Sequence, residues 1–335
     1  SLKFAIAVGI GLLIAFVGLE WAGIVVDSPS TYVKLGNLKS PVTLLSLFGV
    51  AVIGILMALH FRGAILVGML ATAAAGFFAT RMWGGHWGYD LTGAVSFGTF
   101  PDITATAGKV FGGFGPLFGH KVGQIFLVIF TFLLLDVFDT VGTLVGLGER
   151  AGLMKDGQLP NAREAMMADA LGTLSGTVMG TSTITSYIES SAGIAAGART
   201  GLAALVTAGL FLIAIFAYPF LNCIGAEVPV PAAALGAFSG AQTILCYPVI
   251  APVLIIIGCY MLPIVGRIKW DDFSEALPAF LTIVIMQFSM SITDGIAWGF
   301  ISYTILKIFT AKPQKCPIIV YICSVLFVLY YAFGR

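Results

Sequence analysis

Hydrophobic residues in this chain form long runs, and polar segments separate the runs from one another. We mark eleven runs, at about 4–26, 41–60, 63–80, 122–147, 165–180, 184–197, 202–222, 247–265, 276–290, 292–309 and 317–333. A helix needs about 20 apolar residues to cross a bilayer, and most of the runs approach or exceed that length. The pattern therefore predicts an all-α polytopic membrane protein.

Three of the runs, 165–180, 184–197 and 276–290, are shorter than a membrane span, which predicts broken or partial helices. Backbone that is not helical at membrane depth occurs only where protein or a cavity surrounds it. Short, interrupted helices are therefore typical of a binding site in a transporter. The β-branched stretch before Ser186 favours a short strand, and we expect a half-helix to begin near Ser186.

The composition agrees with a membrane protein, since 59% of the residues are hydrophobic and only 10% are charged. Soluble domains carry about 25% charged residues. The net charge of +1 and the lack of a basic patch argue against nucleic acid as a partner. The five cysteines show no metal-ligand spacing, so we predict no metal site and no cofactor. Cys223 and Cys246 flank one loop and are either free thiols or a disulfide.

The distribution of Lys and Arg predicts the orientation of the chain in the membrane. With Ser1 in the cytoplasm, we count eleven basic residues inside and six outside, which fits a multi-pass protein of the plasma (inner) membrane. Residues 84–121 are rich in Gly and aromatic residues and too polar to span, so we expect an extracytoplasmic loop with an interfacial helix. Because Ser1 leads directly into an apolar run, we expect the chain to begin within a longer protein.

Several acidic residues lie within the apolar runs, where a charge is costly. An insertion cost of about 2.5–3.5 kcal/mol at a helix centre means that such residues usually face a cavity or a partner. We expect no Lys or Arg to share the interiors of these runs. Carboxylates without basic partners bind and release protons near neutral pH, which predicts a cation- or proton-coupled site. The acidic residues are Glu20, Asp136, Asp139, Glu189 and Asp294.

The acidic residues differ in how strongly their surroundings indicate a function. Asp136 and Asp139 are three residues apart on one helical face, and their mutual repulsion favours a shared proton over a packing role. Ser186 and Glu189 match the S-x-x-E capping box, so Glu189 is expected to cap the helix start and also to face the cavity. Asp294 either begins a helix or acts as a functional acid, and both readings stay open.

Three stretches resemble a known family: 133–146 (LLLDVFDTVGTLVG), 159–220, which includes MGTSTITSYIESSAGIAAGART, and 271–303, which includes MSITDGIAWGF. They are similar to AzgA-type purine permeases, a branch of the nucleobase transporter family (nucleobase–ascorbate transporters, or nucleobase–cation symporter 2). The resemblance covers nearly the whole chain and is densest from 130 to 220.

The resemblance implies a fold of two inverted sets of seven helices, divided into a core domain and a gate domain. The core carries half-helices that each follow a short strand. On this plan residues 1–83 are gate helices, 84–121 an extracytoplasmic loop, 122–222 the second half of the core with the substrate site, and 223–335 the second set of gate helices. The chain would begin at the fifth helix, so the N-terminal part of the core would be missing.

The resemblance also implies proton-coupled symport of adenine, guanine or hypoxanthine into the cell. The family's substrate carboxylates fall on the helix of Asp136 and Asp139 and on Glu189, while Asp294 matches a further functional acid. Asp136, Asp139 and Glu189 would accept the N–H groups of the purine and couple transport to a proton. Nearby hydroxyls would complement its ring nitrogens. The predicted substrate-binding residues are Asp136, Asp139, Thr183, Thr185, Glu189 and Ser190.

Other functions are weighed against this one. An intramembrane aspartyl protease places its two aspartates on separate helices, whereas Asp136 and Asp139 share one helix. An anion carrier of related fold would place a basic residue at the half-helix, but Arg199 lies at the cytoplasmic end. A uracil or xanthine permease of the same family remains an alternative. The expected partners are a purine nucleobase, a proton and the lipid bilayer, with a homodimer as one further arrangement.

Overall fold

The computed structural model describes residues 1–61, 63–83, 106–117, 122–155, 158–238, 243–310 and 318–333. Within these ranges the helices and strands follow one another along the chain, and a 3-10 helix at Leu262–Arg267 continues α11. They are α1 (Leu2–Trp21), β1 (Val25–Ser28), β2 (Tyr32–Leu35), α2 (Pro41–Ala58), α3 (Ala64–Trp83), α4 (Val110–Leu117), α5 (Val122–Ala151), α6 (Ala162–Met179), α7 (Ser190–Ala195), α8 (Gly201–Phe216), α9 (Tyr218–Ile224), β3 (Val228–Pro231), α10 (Ala232–Leu235), β4 (Thr243–Cys246), α11 (Ala251–Met261), α12 (Phe273–Phe288), α13 (Ile292–Phe309) and α14 (Ile318–Phe333).

The helices confirm the predicted all-α class, because each hydrophobic run except 184–197 is mostly helical. Among the described residues, three helices are long and apolar enough to cross a membrane: Leu2–Trp21, Pro41–Ala58 and Ala64–Met82. Within the predicted loop 84–121, α4 lies where a short helix was expected. Residues 84–105 and 118–121 of that loop lie outside the described residues.

The chain divides into two compact units, the first formed by Ser1–Leu13, Asp102–Ser191 and Met261–Arg335. In this unit, glycines let α5 pack closely on α1. A Cβ atom at Gly142 would lie 2.7 Å from side-chain carbons of both Ile6 and Ile10, and one at Gly146 would collide with Met261. The glycine pair at i, i+4 therefore has the packing role that small residues take in membrane helix bundles.

Aromatic rings fix α5 against α13 and α14 in the same unit. The ring centroid of Phe138 lies 4.9 Å from that of Phe300 in an edge-to-face arrangement, and 6.3 Å from that of Phe327. Phe300 and Phe327 are also 6.3 Å apart, so the three rings form one cluster. Edge-to-face ring pairs stabilise packing beyond their buried area. Phe138 stands between Asp136 and Asp139, so the cluster anchors the acidic stretch of α5.

Lys307 is a buried cation near the end of α13, with a side chain only 2% exposed. Its Nζ lies 2.7 Å from Glu275 Oε1 and donates to Ser274 Oγ at 2.9 Å, both in the first turn of α12. Tyr303 donates its hydroxyl to the same Glu275 oxygen at 3.2 Å. The expectation that no basic residue shares a run with a buried acid is therefore wrong for the run of Asp294, because Lys307 is held there by its own ion pair.

The second unit, formed by Ile14–Pro101 and Ala192–Tyr260, contains two antiparallel β-hairpins. β1 pairs with β2, and β3 pairs with β4. The hairpins and the helices α2 and α9 share one hydrophobic cluster. Its buried members are Val26, Val42, Leu45, Ile224, Val228, Val230, Leu235, Cys246 and Val249. Burial of these side chains holds the hairpins together as a folded layer.

Backbone contacts join the two hairpin regions to each other and to the end of α1. The N–H of Asn37 donates to the carbonyl of Leu235 at 2.9 Å, and the N–H of Tyr247 donates to the carbonyl of Trp21 at 3.0 Å. The rings of Trp21 and Tyr247 are 4.5 Å apart between centroids. Cys246 is a buried free thiol, so it does not form a disulfide with Cys223. The assignment of residues to core and gate domains stays a prediction.

Candidate functional site

The acidic stretch of α5 is the first part of the candidate site. Asp136 and Asp139 are both half-buried, and Thr140, the next residue after Asp139, is buried. Within the described part of the chain, the buried Oδ1 of Asp136 has no hydrogen-bond partner. Buried polar atoms are almost always paired in folded proteins. An unpaired carboxylate oxygen at this position is therefore free to accept from a ligand.

Asp169 of α6 joins α5 to the segment that precedes α7. Its carboxylate accepts a hydrogen bond from Thr140 Oγ1 at 2.7 Å. It also accepts from the backbone N–H of Ser186 at 2.8 Å and from Ser186 Oγ at 3.0 Å. Asp169 is 9% exposed. These three bonds fix Thr140, next to Asp139, relative to Ser186, three residues before Glu189.

The segment from Thr181 to Glu189, named here the 181–189 segment, forms neither a helix nor a strand, so the predicted short strand is wrong. Its backbone groups are bonded to side chains of α6 and not to a neighbouring strand. Thr173 Oγ1 donates to the carbonyl of Ile184 at 2.8 Å, and Asp169, four residues earlier on α6, accepts from the N–H of Ser186. Because residues at i, i+4 lie on one face of a helix, these two side chains hold the segment along α6.

The half-helix is confirmed as α7, but it begins at Ser190, four residues after the predicted start at Ser186. The predicted capping role of Glu189 is wrong. Ser186 donates both its N–H and its hydroxyl to Asp169, so its N–H is not the partner of Glu189. The side chain of Glu189 is half-buried and lies just before the first turn of α7.

The predicted hydroxyl residues occupy different surroundings. Thr185 is half-buried, and its Oγ1 lies 3.5 Å from Thr140 Oγ1. Thr183 and Ser190 are exposed. Thr183 lies in the 181–189 segment, and Ser190 lies at the start of α7. Ser191, the next residue along α7, is fully buried, and its hydroxyl has no hydrogen-bond partner among the described residues. The structure therefore links Thr185 directly to the acidic stretch and leaves Thr183 and Ser190 accessible.

The site carries several negative charges without basic residues in its own segments. The carboxylate of Asp139 lies within electrostatic reach of those of Asp136, Asp169 and Glu189. The sequence has no Lys or Arg from 122 to 149 or from 164 to 198. Carboxylates close together in a low-dielectric region repel one another, so a cation or a proton that enters between them is stabilised.

Arg199 caps the opposite end of α7. Its Nη1 donates to the carbonyl of Ile194 at 2.6 Å and to that of Ala198 at 2.7 Å. A guanidinium bound to the last carbonyls of a helix satisfies groups that have no partner within the helix. The guanidinium of Arg199 therefore lies at the C-terminal end of α7, whereas Glu189 precedes the N-terminal end.

Asp294 lies in the first turn of α13, as the prediction that it begins a helix requires. Ser291 is the N-cap of that helix and accepts from the N–H of Asp294 at 3.1 Å. The hydroxyl of Tyr331 in α14 donates to Asp294 Oδ1 at 2.6 Å. Asp294 therefore starts α13 and joins it to α14. A functional role for Asp294 stays a prediction.

Asp169 is missing from the predicted acidic set, although it lies within the apolar run 165–180. The signal that could have identified it is helical periodicity. Asp169, Gly172, Thr173 and Gly176 repeat at three- and four-residue intervals, which places them on one face of α6. A Cβ atom at Gly176 would lie 2.6 Å from Ile184, so that face of α6 packs against the 181–189 segment.

Comparisons with known proteins identify the family of the chain. The family model described as "Permease family" (Xan_ur_permease) matches residues 2–297. The guanine/hypoxanthine permease PbuG of Bacillus subtilis is 41% identical over 333 residues, which cover 99% of this chain and 68% of the relative. The guanine/hypoxanthine permease PbuO of the same organism is 40% identical over 327 residues, covering 98% of this chain and 69% of the relative.

A third relative has a different named substrate. The adenine permease AdeQ of Escherichia coli is 37% identical over 330 residues, which cover 98% of this chain and 66% of the relative. All of these similarities extend over nearly the whole chain, including α5, α6 and α7. The chain therefore belongs to the Xan_ur_permease family and is a membrane-embedded transporter, not an enzyme.

Proposed function

We propose that the protein is a secondary active transporter that imports purine nucleobases by proton symport. The observation that supports this proposal is that Asp169 accepts hydrogen bonds from Thr140, next to Asp139 of α5, and from Ser186, three residues before Glu189. The names of the relatives support the substrate class, because they are permeases of guanine, hypoxanthine or adenine. The proposed location is the plasma (inner) membrane, crossed several times by the chain.

The substrate is proposed to bind between α5 and the start of α7. A purine presents N–H donors and ring-nitrogen acceptors along the edge of a flat ring. Asp139 and Glu189 would accept from the N–H groups, and the unpaired Oδ1 of Asp136 offers a further acceptor. The hydroxyls of Thr183, Thr185 and Ser190 would donate to the ring nitrogens. Hydrogen bonds with a charged partner contribute about 1.5–3 kcal/mol each, so the carboxylates would dominate affinity.

Proton coupling is assigned to Asp136, Asp139 and Glu189. Their negative charges repel one another, so the site is stabilised when one of them takes up a proton. A proton that binds together with the purine would neutralise the site and favour a movement of the core against the gate. This step uses the two-domain, inverted-repeat fold that the family resemblance implies.

The test is uptake of radiolabelled adenine and hypoxanthine by cells that lack their own purine permeases and express the complete gene. We expect uptake that a protonophore abolishes and that unlabelled adenine, guanine or hypoxanthine inhibits, whereas uracil and xanthine do not. Uptake inhibited mainly by uracil or xanthine would support the alternative substrate class. Uptake that a protonophore leaves unchanged would contradict proton symport.

A further inference from the structure

Strand β2 and the residues after it form an exposed face with apolar and basic side chains. All four residues of β2 are exposed, and Tyr32 and Leu35 are 89% and 64% exposed. Lys34 lies in the same strand, and Leu38 and Lys39 follow it at the surface. We name residues 32–39 the β2 face. Large apolar side chains gathered in so short a segment mark an interaction surface.

The β2 face lies close to the predicted boundary of the bilayer. It belongs to the connection between α1, which ends at Trp21, and α2, which begins at Pro41, and both helices are long and apolar enough to cross a membrane. Such a helix is about 30 Å long, which matches the hydrocarbon thickness, so its ends reach the headgroup layer. Leu35 is six residues before Pro41, a distance of at most about 20 Å in an extended chain.

The apolar exposure of the β2 face continues along the chain into α2. Leu44, Phe48 and Ile55 are exposed large apolar residues of that helix, and their spacing of four and seven places them on one side. The opposite side of α2 is buried, for example at Val42 and Leu45. The exposed side of α2 is the side that lipid covers in a membrane helix.

We propose that the β2 face docks on the headgroup layer and binds anionic phospholipids. Lys34 and Lys39 pair with the lipid phosphates, while Tyr32 and Leu35 enter the boundary between headgroups and acyl chains. Tyrosine is enriched at that depth because its ring is apolar and its hydroxyl polar. Lysine side chains reach from apolar surroundings to charged groups, so Lys34 and Lys39 can reach the lipid phosphates.

A lipid partner explains the face better than a second copy of the chain. Two copies joined only through the four-residue strand β2 would bury much less than the roughly 1,200 Å² of the smallest stable protein interfaces. Lipid needs no such area, because the membrane helices on both sides already hold the face at the bilayer. The proposal goes beyond purine transport and is independent of the transported substrate.

The first experiment identifies what touches the face. The protein with Tyr32→benzoylphenylalanine is placed in lipid nanodiscs that contain phosphatidylglycerol, irradiated, and analysed by mass spectrometry. We expect a covalent adduct with the mass of a phospholipid. A cross-linked dimer, or no adduct, overturns the proposal.

The second experiment tests the lysines. Melting temperatures are compared between nanodiscs of phosphatidylglycerol and of phosphatidylcholine for the wild type and for the double variant Lys34→Gln/Lys39→Gln. We expect phosphatidylglycerol to stabilise the wild type, and the double variant to lose roughly half or more of that stabilisation, since each lysine adds to binding. Lys155→Gln, which removes an exposed lysine outside the β2 face, between α5 and α6, is the control and should lose less of the effect than the double variant. Equal lipid dependence in the double variant and the wild type overturns the proposal.

Discussion

The substitution Asp169→Ala removes the side chain that joins α5 to the segment before α7. Three donors lose their acceptor: Thr140 Oγ1 at 2.7 Å, the N–H of Ser186 at 2.8 Å and Ser186 Oγ at 3.0 Å. The two hydroxyls can rotate toward other acceptors, but the backbone N–H of Ser186 cannot. The perturbation therefore leaves at least one part-buried donor without its partner.

The expected cost follows from these contacts. A hydrogen bond with a charged acceptor contributes about 1.5–3 kcal/mol, and an unsatisfied buried donor costs about 1–3 kcal/mol. Because the three bonds share one acceptor, their energies do not add fully, and we expect a total loss of about 2–4 kcal/mol. Thr140 adjoins Asp139, and Ser186 precedes Glu189 by three residues, so part of the loss falls on the purine site. We predict that purine affinity weakens about tenfold, since each tenfold change in Kd corresponds to about 1.4 kcal/mol.

The assay is equilibrium binding of radiolabelled hypoxanthine to purified protein in nanodiscs, together with a thermal melt of the same sample. Thr177→Val is the matched control on α6, because Thr177 Oγ1 donates only to the carbonyl of Thr173 within that helix. If Asp169→Ala fails to fold, Asp169→Asn serves in its place. The amide oxygen of the substituted side chain can still accept from the N–H of Ser186, so an intermediate affinity is expected.

A double-mutant cycle with Thr140→Val separates positioning from general destabilisation. If Asp169 acts through Thr140, the effect of the double variant on Kd is smaller than the sum of the two single effects. Unchanged hypoxanthine affinity in Asp169→Ala, in a sample where the wild type binds, would refute the role of Asp169 while leaving the proposed substrate intact. Lack of binding by the wild type would instead refute the substrate.

The remaining predictions concern stability and reactivity. Lys307→Met should lower the free energy of unfolding by about 1.5–3 kcal/mol, because it removes the lysine that pairs with Glu275 and leaves the Tyr303 hydroxyl as that carboxylate's side-chain partner. Adding Glu275→Gln should restore much of the loss, and thermal melts that show the double variant no better than the single one would contradict this. Burial, with a smaller contribution from the charge of Glu20, raises the pKa of the Cys246 thiol to about 11, so peptide-level mass spectrometry should find it unmodified by maleimide at pH 7.5 until the protein unfolds; labelling of the folded protein would contradict the buried position. Gly142→Ala should lower the melting temperature, because overpacking against α1 costs about 1–3 kcal/mol. Gly209→Ala meets open space and should leave the melting temperature unchanged. Equal effects of the two substitutions would contradict the close approach of α5 and α1.

Much of the fold could be predicted from the sequence because hydrophobic length decides where a membrane helix lies. The runs that became α2, α13 and α14 agree with the observed bounds to within two residues. Helix ends are well defined there because polar residues or turn residues interrupt the apolar runs. The two β-hairpins were not predicted. Their strands have four residues each, and they are stabilised by a hydrophobic cluster that joins residues far apart in the sequence, such as Val26 and Val228.

The candidate site was only partly predictable for a related reason. Asp136, Asp139 and Glu189 could be identified because a carboxylate in an apolar run is unusual by itself. The local signal at Ser186 and Glu189 fits a capping box, but the tertiary contact with Asp169 takes both donors of Ser186. A sequence motif cannot show that a side chain on another helix competes for the same group.

The placement of the 181–189 segment also depends on side chains of another helix, α6. β-Branched residues from Thr183 to Thr185 favour a strand, but no strand forms there. A strand also needs a neighbouring strand to bond with, and here Thr173 and Asp169 of α6 take that place. Local preference alone therefore could not predict this segment, because its bonding partners are side chains of α6.

The central claim is that Asp139 and Glu189 bind a purine together with a proton. The most direct measurement is hypoxanthine uptake into proteoliposomes driven only by a pH gradient, acidic outside, for the wild type, Asp139→Asn and Glu189→Gln. We predict uptake above the equilibrium level in the wild type, its loss in both variants, and its loss in the wild type when the gradient is absent. Gradient-driven accumulation by either variant at the wild-type level would contradict the claim.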